Sequence, residues 1–421
     1  MDTAAKRVLS RRMYIIEAAA EYLISILVTG SFLATITREM GFSDSLTGIL
    51  SAVISLGCLF QLLSMAFHPR RGKRFVIILS VVNQILFSLL YIIPLTAFPQ
   101  TVKTVLFVAA VFIAYLIYYI AHPKKITWMM SMVDENRRGS FTSLKEAVSL
   151  LAGMAFSYGM GMAVDRFAAQ NELYTAFWLC IGAIAVFTAV HTVSMLLTME
   201  QQETAPVRQL HLGDSIRQTL TDRNLLRVIV LLVLYNVANY ASAPFYGAYQ
   251  INDLGFSLQF ISILSIVSSV FRIAASVFWG RYADRTSFLN MMGKCLLFVM
   301  ASALCVVFAV PANGRMMFLL YYILSGIASG GVNSALMNIV FDCVPYERRS
   351  DSLAVCQAVS GVIGFVTTLA VSPLVAFIQT NGNSFMGMSV YAQQVTAGIS
   401  FMLLLVTLVY SFRCRKAIKK V

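Results

Sequence analysis

The chain has 421 residues, of which 58% are hydrophobic and 12% are charged, and its formal net charge is +13. Its mean hydropathy is +0.76, which excludes a water-soluble globular protein of this length. Hydrophobic blocks recur along the whole sequence, and a block of about 20 apolar helical residues crosses a ~30 Å hydrocarbon layer. Only helices and closed barrels satisfy their backbone polar groups there. The composition therefore predicts a polytopic helical membrane protein.

Twelve apolar segments follow one another, separated by short polar gaps or by gaps that contain proline or glycine. We predict spans at 13–37, 46–67, 75–98, 104–133, 141–164, 174–198, 224–250, 257–280, 289–310, 315–343, 352–379 and 389–412. The longest gap is polar and separates two sets of six spans. The predicted domains are an N-terminal six-helix bundle (1–198), a cytoplasmic central linker (199–223) and a C-terminal six-helix bundle (224–421).

The basic residues are distributed unevenly among the gaps. With the N-terminus inside, the outer loops carry only Arg38, Lys103, Arg166 and Arg315, and the inner loops and tails carry most of the others. Short cytoplasmic loops are enriched in lysine and arginine, so both termini are predicted to be cytoplasmic, in a multi-pass protein of the cell membrane. Because the positive charges flank membrane spans, they indicate the lipid bilayer as partner and no nucleic acid.

The two halves of the sequence resemble each other. The tripeptide Gly-Phe-Ser follows the first span at 41–43 and the seventh span at 255–257. The segments 133–138 and 344–349 both end in Arg-Arg, and each precedes an Ala-Val-Ser sequence at the same offset. Two matches at corresponding places indicate duplication, and parallel repeats of six spans are typical of one large class of secondary transporter.

The loop between the eighth and ninth spans carries a motif. Its sequence, from Gly280 through Asp284 to Arg285, resembles the Gly-x-x-x-Asp-Arg signature of the major facilitator superfamily. The equivalent loop at 68–74 is basic but lacks the acidic residue, and a third copy at 161–166 lies on the predicted outer side, where we expect it to be coincidental. The resemblance implies an all-α membrane protein of twelve transmembrane helices in two parallel-repeat six-helix bundles.

By the same resemblance, Gly280, Asp284 and Arg285 belong to a cytoplasmic gate. A carboxylate such as Asp284 can interact with the positive end of a helix dipole, and the start of the fifth span is the expected partner. The alternative is a solvated turn that only contributes to the inside-positive charge. A monomer suffices for this fold, and no cofactor is expected.

Three ionisable residues lie deep in their spans. Counted at ~1.5 Å per helical residue from the nearest cytoplasmic charges, Glu21 and Lys125 lie ~13 Å deep and Arg272 ~12 Å deep. The midplane of a ~30 Å core lies near ~15 Å. Buried ionisable groups in spans usually face a cavity or a partner, and substrates of such transporters bind near the midplane.

Helical phase groups further polar residues with them, since residues three or four apart share a face. Glu17 and Glu21 share a stripe on the first span. The other predicted site residues, on the fourth, seventh and tenth spans, are Tyr115, Tyr118, His122, Lys125, Asn236, Asn239, Tyr240, Ser329 and Asn333. By resemblance, these spans and the first surround the central substrate cavity.

The charged residues admit more than one role. A carboxylate in a poorly hydrated cavity binds a proton more readily than one in water, so Glu21 and Glu17 are candidates for proton coupling. The alternative is a static ion pair with Lys125. Lys125 is either an anchor for an anionic substrate group or the counter-ion of Glu21, and Arg272 either contacts substrate or stabilises helix packing.

No phosphate-binding loop, metal-ligand cluster or nucleophile arrangement occurs in the sequence, so neither an enzyme nor a metal site is expected. We predict a secondary active transporter that moves a small solute by alternating access, coupled to protons. The slightly positive midplane favours an organic anion or zwitterion. A sugar or nucleoside transporter, drug efflux, an uncoupled facilitator and a non-transporting receptor are the alternatives.

Overall fold

A computed structural model describes residues 3–64, 72–133, 138–200, 212–345, 348–385 and 387–414. Most of these residues are helical, which confirms the predicted all-α membrane fold. The basic loop residues 68–71, the first repeat residues 134–137 and the linker residues 201–211 lie outside the described part of the chain.

The helices follow one another with short connections. The first half contains α1 (Thr3–Leu27), α2 (Gly30–Glu39), α3 (Asp44–Ala52), a 3-10 turn (Val53–Leu56), α4 (Gly57–Ser64), α5 (Gly72–Leu95), α6 (Gln100–Met130), α7 (Arg138–Ala169) and α8 (Leu173–Leu197). The central linker includes α9 (Leu212–Thr221).

The second half repeats this plan. It contains α10 (Arg223–Tyr240), a 3-10 turn (Ala243–Phe245), α11 (Tyr246–Ala248), a π-helical turn (Tyr249–Asp253), α12 (Leu258–Arg285), α13 (Phe288–Val307), α14 (Gly314–Phe341), α15 (Arg349–Thr380) and α16 (Ala392–Cys414). A two-stranded antiparallel hairpin, β1 (Ser384–Phe385) with β2 (Met388–Ser389), connects α15 and α16.

The number of spans agrees with the prediction of twelve. Among the described residues, eleven helices are long and apolar enough to cross a membrane on their own. Helices α1 and α2 together qualify as one more span, bent by 41° at their junction. Gly30 opens α2 with φ +55°, a left-handed conformation that glycine adopts without steric cost, and this conformation permits the bend.

The Gly-Phe-Ser repeat has the same local structure in both halves. Gly41 and Gly255 adopt φ values of +67° and +64°, which turn the chain before α3 and α12. Ser43 Oγ then accepts a hydrogen bond from the backbone N–H of Leu46 at 3.2 Å, and Ser257 Oγ accepts one from Phe260 N–H at 3.1 Å. Serine is a preferred N-cap residue for this reason. The matching turns support the inferred duplication.

The contacts group the chain into two compact units. The first comprises Met1–Phe42, Phe60–Arg208 and Ser257–Ser262, and the second comprises Ser43–Leu59, Gln209–Phe256 and Ile263–Val421. The grouping therefore places 43–59 with most of the second half of the sequence. The division into bundles at the linker 199–223 stays a prediction from the sequence.

Each unit has its own apolar core. In the first unit, an apolar cluster joins α1, α5, α6 and α8 through Tyr14, Val76, Trp128, Met129, Met132 and Met195. In the second unit, the core centres on α13, where Met292, Cys295 and Leu296 are completely buried. These cores fix the rotation of each helix and so decide which side chains meet.

Candidate functional site

The first unit buries an ion cluster formed by α1 and α6. Nζ of Lys125 lies 2.8 Å from Oε1 of Glu17 and also contacts Oε2 of Glu21. Glu17 and Glu21 share one face of α1 because they lie four residues apart. The side chains of Lys125 and Glu17 are 4% and 0% exposed, and that of Glu21 is 22% exposed. Glu21 is therefore the most exposed member of this trio.

The structure adds His191 from α8, a residue that the sequence did not identify as part of the site. Its Nε2 lies 2.9 Å from Oε1 of Glu17, and neither side chain is exposed. The sequence did contain one indication, a similar depth of the two residues in their spans. By helical rise, His191 lies ~9 Å before the end of α8, and Glu17 lies ~8 Å beyond Arg12. Similar depth does not reveal lateral neighbours, so the sequence left the histidine unassigned.

Apolar side chains lie on the predicted inner side of the ion cluster. Each of three cluster residues has an apolar neighbour about one helical turn closer to the predicted inner side. These neighbours belong to the apolar cluster of the first unit: Tyr14 next to Glu17 on α1, Met129 next to Lys125 on α6, and Met195 next to His191 on α8. Tyr14 is 4% exposed, and the two methionines are completely buried. These side chains separate the ionisable groups from the predicted cytoplasmic ends of the three helices.

Two polar contacts hold the end of α8. Nζ of Lys73 donates a hydrogen bond to the Thr198 carbonyl at 2.6 Å, and Nε1 of Trp128 donates one to the Met199 carbonyl at 2.8 Å. A lysine also interacts favourably with the negative end of a helix dipole. Because these contacts fix the end of α8, they fix the position of His191 beside Glu17.

The cluster carries an excess of negative charge. Two carboxylates face one ammonium, so the formal charge is −1 when the imidazole is neutral. Removing such a charge from water is costly unless it is compensated. One added positive charge would neutralise the cluster. One ligand atom each from Glu17, Glu21 and His191 lies within 4.8 Å of the others, a spacing that also suits a metal ion, but the ammonium of Lys125 already contacts both carboxylates.

The other predicted residues of α6 divide between the site and the core. The rings of Tyr118 and His122 stack at 5.0 Å, and they lie two turns and one turn from Lys125, respectively. Tyr115 is 7% exposed and packs edge-on against Phe87 at 5.5 Å. Tyr118 and His122 therefore extend the polar stripe, whereas Tyr115 belongs to the packing of α5 against α6.

The second unit contains the remaining predicted polar residues, on α10 and α14. Asn236, Asn239 and Tyr240 are partly exposed on α10, as is Ser329 on α14, and Asn333 on α14 is exposed.

A further polar pair in this unit includes Gln250, which was not predicted from the sequence. The side chains of Gln250 and Tyr322 are joined by hydrogen bonds of 3.3 and 3.4 Å. Phenol, amide and hydroxyl groups of this kind can hydrogen-bond an uncharged polar ligand.

The predicted residues of α12 lie at different degrees of exposure. Arg272 is half-buried, whereas Gly280, Asp284 and Arg285 are exposed at the end of the helix. The cytoplasmic gate stays a prediction.

The third Gly-x-x-x-Asp-Arg copy has a local structural role that the sequence did not indicate. The carboxylate of Asp165 on α7 accepts hydrogen bonds from the backbone N–H groups of Leu258 at 2.9 Å and Gln259 at 2.7 Å. These are the first two residues of α12, where the helix has unpaired N–H groups and a positive dipole end. Asp165 therefore caps α12, and Gly161 lies against the same backbone.

A buried carboxylate also fixes the start of α3 in the second unit. Asp44 is 5% exposed and accepts hydrogen bonds from the side-chain amides of Asn252 at 2.6 Å, Gln379 at 2.8 Å and Gln393 at 2.8 Å. The three donors come from the π-helical turn, α15 and α16. One carboxylate thus links four segments at the predicted outer side.

Twelve spans, a repeated half and a buried ion cluster together define a polytopic helical transporter. The sequence profile of the Major Facilitator Superfamily matches residues 13–371, and the chain belongs to this superfamily. It is therefore a multi-pass membrane protein and a secondary transporter of small-molecule solutes, and it is not an enzyme. No significant match occurs among curated protein sequences.

Solved structures of transporters share this fold. A point mutant of the nucleoside transporter NupG is similar over 96% of this chain and 99% of its own, with a TM-score of 0.75 and 12% identity. An auto-inhibited peptide transporter of the POT family is similar over 97% of each chain, with a TM-score of 0.72 and 12% identity. A bacterial homologue of the human lysosomal transporter Spinster matches over 98% and 97%, with a TM-score of 0.68 and 12% identity.

Proposed function

We propose that the protein is a proton-coupled transporter in which Glu21, Glu17 and Lys125 form the proton site. The observation that carries this proposal is the unequal charge of the buried cluster, where two carboxylates share one ammonium. A buried charge that lacks a partner is costly in the membrane. One proton makes the cluster neutral, so proton occupancy changes the free energy of the site.

Glu21 is the residue through which the proton enters and leaves. Its side chain is 22% exposed, whereas Glu17 is fully buried between Lys125 and His191. Protonation of Glu21 removes one of the two negative charges that face Lys125 and leaves the Glu17–Lys125 pair neutral. Loss of the proton restores the net negative charge, and the alternation couples transport to a proton gradient.

The substrate is an uncharged polar or zwitterionic solute. Two carboxylates already engage Lys125, which leaves it unsuited as the anchor of a simple anion. The second unit offers phenol and amide groups from Tyr240, Asn236 and Asn239. Among the structural neighbours whose names give a substrate, a nucleoside transporter and a peptide transporter are consistent with this class, whereas a bacterial metal transporter and a homologue of the iron transporter ferroportin are not.

An organic anion is the second candidate. The observation that favours it is Arg272, a half-buried guanidinium within the predicted eighth span. Guanidinium groups bind carboxylates and phosphates through two parallel hydrogen bonds. If Arg272 holds such a group, substitution by glutamine abolishes binding of anions and spares binding of neutral solutes.

The coupling is tested in proteoliposomes with an acidic exterior. The probes are uridine, glucose, dialanine and succinate, and thermal stabilisation of the purified protein first selects those that bind. We expect the wild type to accumulate a bound probe against its gradient. Glu21→Gln should lose this accumulation yet retain exchange of labelled for unlabelled probe, because the variant still moves solute without a proton.

Glu146→Gln is the matched control, since Glu146 is an exposed glutamate on α7 of the same unit and should leave accumulation unchanged. Accumulation by Glu21→Gln at the wild-type level would contradict the proton site. Flux that ignores the proton gradient in the wild type would establish a facilitator, and binding without flux would establish a receptor.

A further inference from the structure

A groove between α12, α13 and α14 lies in the second unit, near the end of α12. Its volume is about 480 Å³, within the ~300–1,000 Å³ of small-molecule sites. Most of its lining is apolar or aromatic, from Phe271, Ala274, Ala275, Phe278, Trp279 and Tyr282 of α12 together with Phe298 and Ile327. The α12 residues recur every three or four positions and so form one continuous stripe.

One lysine contributes the charge of this groove. Lys294 of α13 is an exposed lining residue, and it lies ~9 Å along the helix from Phe288. Among the described residues, none forms a hydrogen bond or ion pair with Lys294. A lysine at this depth is costly in hydrocarbon unless an anion or the interface compensates it.

The polar end of the groove lies at the predicted inner side. Arg285 ends α12 and continues the stripe of Phe278 and Tyr282 by one further turn. Tyrosine favours the membrane–water interface, which Tyr282 would occupy here, whereas Trp279 is buried and donates a hydrogen bond to the Ile327 carbonyl. The groove thus has an apolar and aromatic wall with Lys294 as its lining cation, and Arg285 lies one helical turn beyond Tyr282 toward the predicted inner side.

We propose that this groove binds an anionic phospholipid of the inner leaflet, with the acyl chain along the α12 stripe and the phosphate near Lys294 and Arg285. The two-part chemistry of the groove matches that of the lipid. Basic pockets between transmembrane helices on the cytoplasmic side are known to bind anionic headgroups. The site shares no residue with the ion cluster of the first unit, so it stands or falls independently of proton coupling.

The test compares lipids on the purified full-length protein in detergent. Native mass spectrometry counts retained lipids, and thermal unfolding measures stabilisation, with palmitoyl-oleoyl phosphatidylglycerol against phosphatidylcholine. We expect phosphatidylglycerol to bind about tenfold more tightly, a difference that corresponds to one ordinary charge-assisted contact. Lys294→Gln should remove this preference while leaving unfolding in lipid-free detergent unchanged.

Two further variants separate the contribution of the apolar groove from that of surface charge. Ala274→Phe fills the groove without changing charge, so it should weaken both lipids. Arg223→Gln removes an exposed cation at the start of α10, outside the groove, and should retain the preference for phosphatidylglycerol. Unchanged phosphatidylglycerol binding by Lys294→Gln would overturn the proposal. Equal stabilisation by inorganic phosphate alone would do so too, since it would identify a site for a soluble anion.

Discussion

Nε2 of His191 lies 2.9 Å from Oε1 of Glu17, and both side chains are completely buried. The two residues are separated by most of the first half of the sequence and come from α8 and α1. Because Glu17 also contacts Lys125 at 2.8 Å, one carboxylate oxygen is shared by an imidazole and an ammonium. The histidine is thereby a positioning residue for the proposed proton site.

Replacing His191 should destabilise the first unit. His191→Phe removes a buried polar partner of Glu17, a change that costs about 1–3 kcal/mol. His191→Gln keeps an amide donor and should recover part of this loss. Thermal unfolding of the purified protein measures both variants.

The control for this prediction is His122→Phe. The His122 ring stacks on Tyr118, and phenylalanine preserves the stacking, so we expect little change in the unfolding temperature. Equal losses for the two phenylalanine variants would show that the contact with Glu17 contributes nothing specific.

Removing the ammonium should cost more than removing the imidazole. Lys125→Met leaves two carboxylates without a cation, and breaking a buried ion pair in this way costs about 3–5 kcal/mol. The deficit should shrink at acid pH, because protonation neutralises the carboxylates. The double variant Glu17→Gln with Lys125→Met should be more stable than Lys125→Met alone.

Lys124→Met is the neighbouring control. Nζ of Lys124 lies over the ring of Phe75 at 5.1 Å, an interaction worth about 0.5–1 kcal/mol where exposed. If Lys125→Met and Lys124→Met unfold at the same temperature at neutral pH, the ion cluster does not stabilise the fold.

The cap of α12 should contribute measurably to stability. Asp165→Ala leaves the N–H groups of Leu258 and Gln259 without their side-chain acceptor, and loss of an N-cap costs about 0.5–2 kcal/mol. Glu172→Ala provides the comparison. Glu172 precedes α8 but makes no side-chain cap hydrogen bond, so its removal should change the unfolding temperature little. A reversed order of the two variants would refute the capping role.

The close approach at Gly161 should not tolerate a side chain. A Cβ atom at this position would lie 2.9 Å from the Leu258 carbonyl carbon and from the Gln259 backbone nitrogen, well inside van der Waals contact. Gly161→Ala should therefore destabilise the protein by about 1–3 kcal/mol through overpacking. Gly159→Ala meets open space and should be neutral or slightly stabilising, since alanine favours the helix by about 1 kcal/mol. Thermal unfolding of the pair decides the matter.

Much of the fold was predictable from the sequence because the bilayer imposes it. Span length, span number and the turns at Gly41 and Gly255 follow from hydrophobic blocks and local backbone preferences, which act over a few neighbouring residues. The pairing of Glu21 with Lys125 was one of two alternatives that the sequence left open, since both lie at similar depth and the cost of burying either charge alone favours pairing.

Sequence periodicity did not reveal which helices are lateral neighbours. His191 lies at a depth similar to that of Glu17, but depth alone did not show that their two helices are neighbours. Asp165 lies in a motif copy whose position on the predicted outer side made it look coincidental. Likewise Asp44 gave no indication of its three amide partners, which come from far along the chain. Helical phase fixes the face of a residue on its own helix, but the packing of one helix against another fixes what that face meets. The sequence by itself thus determined a twelve-span transporter fold and predicted charged side chains deep in the spans, and only the tertiary structure decided which side chains contact those charges.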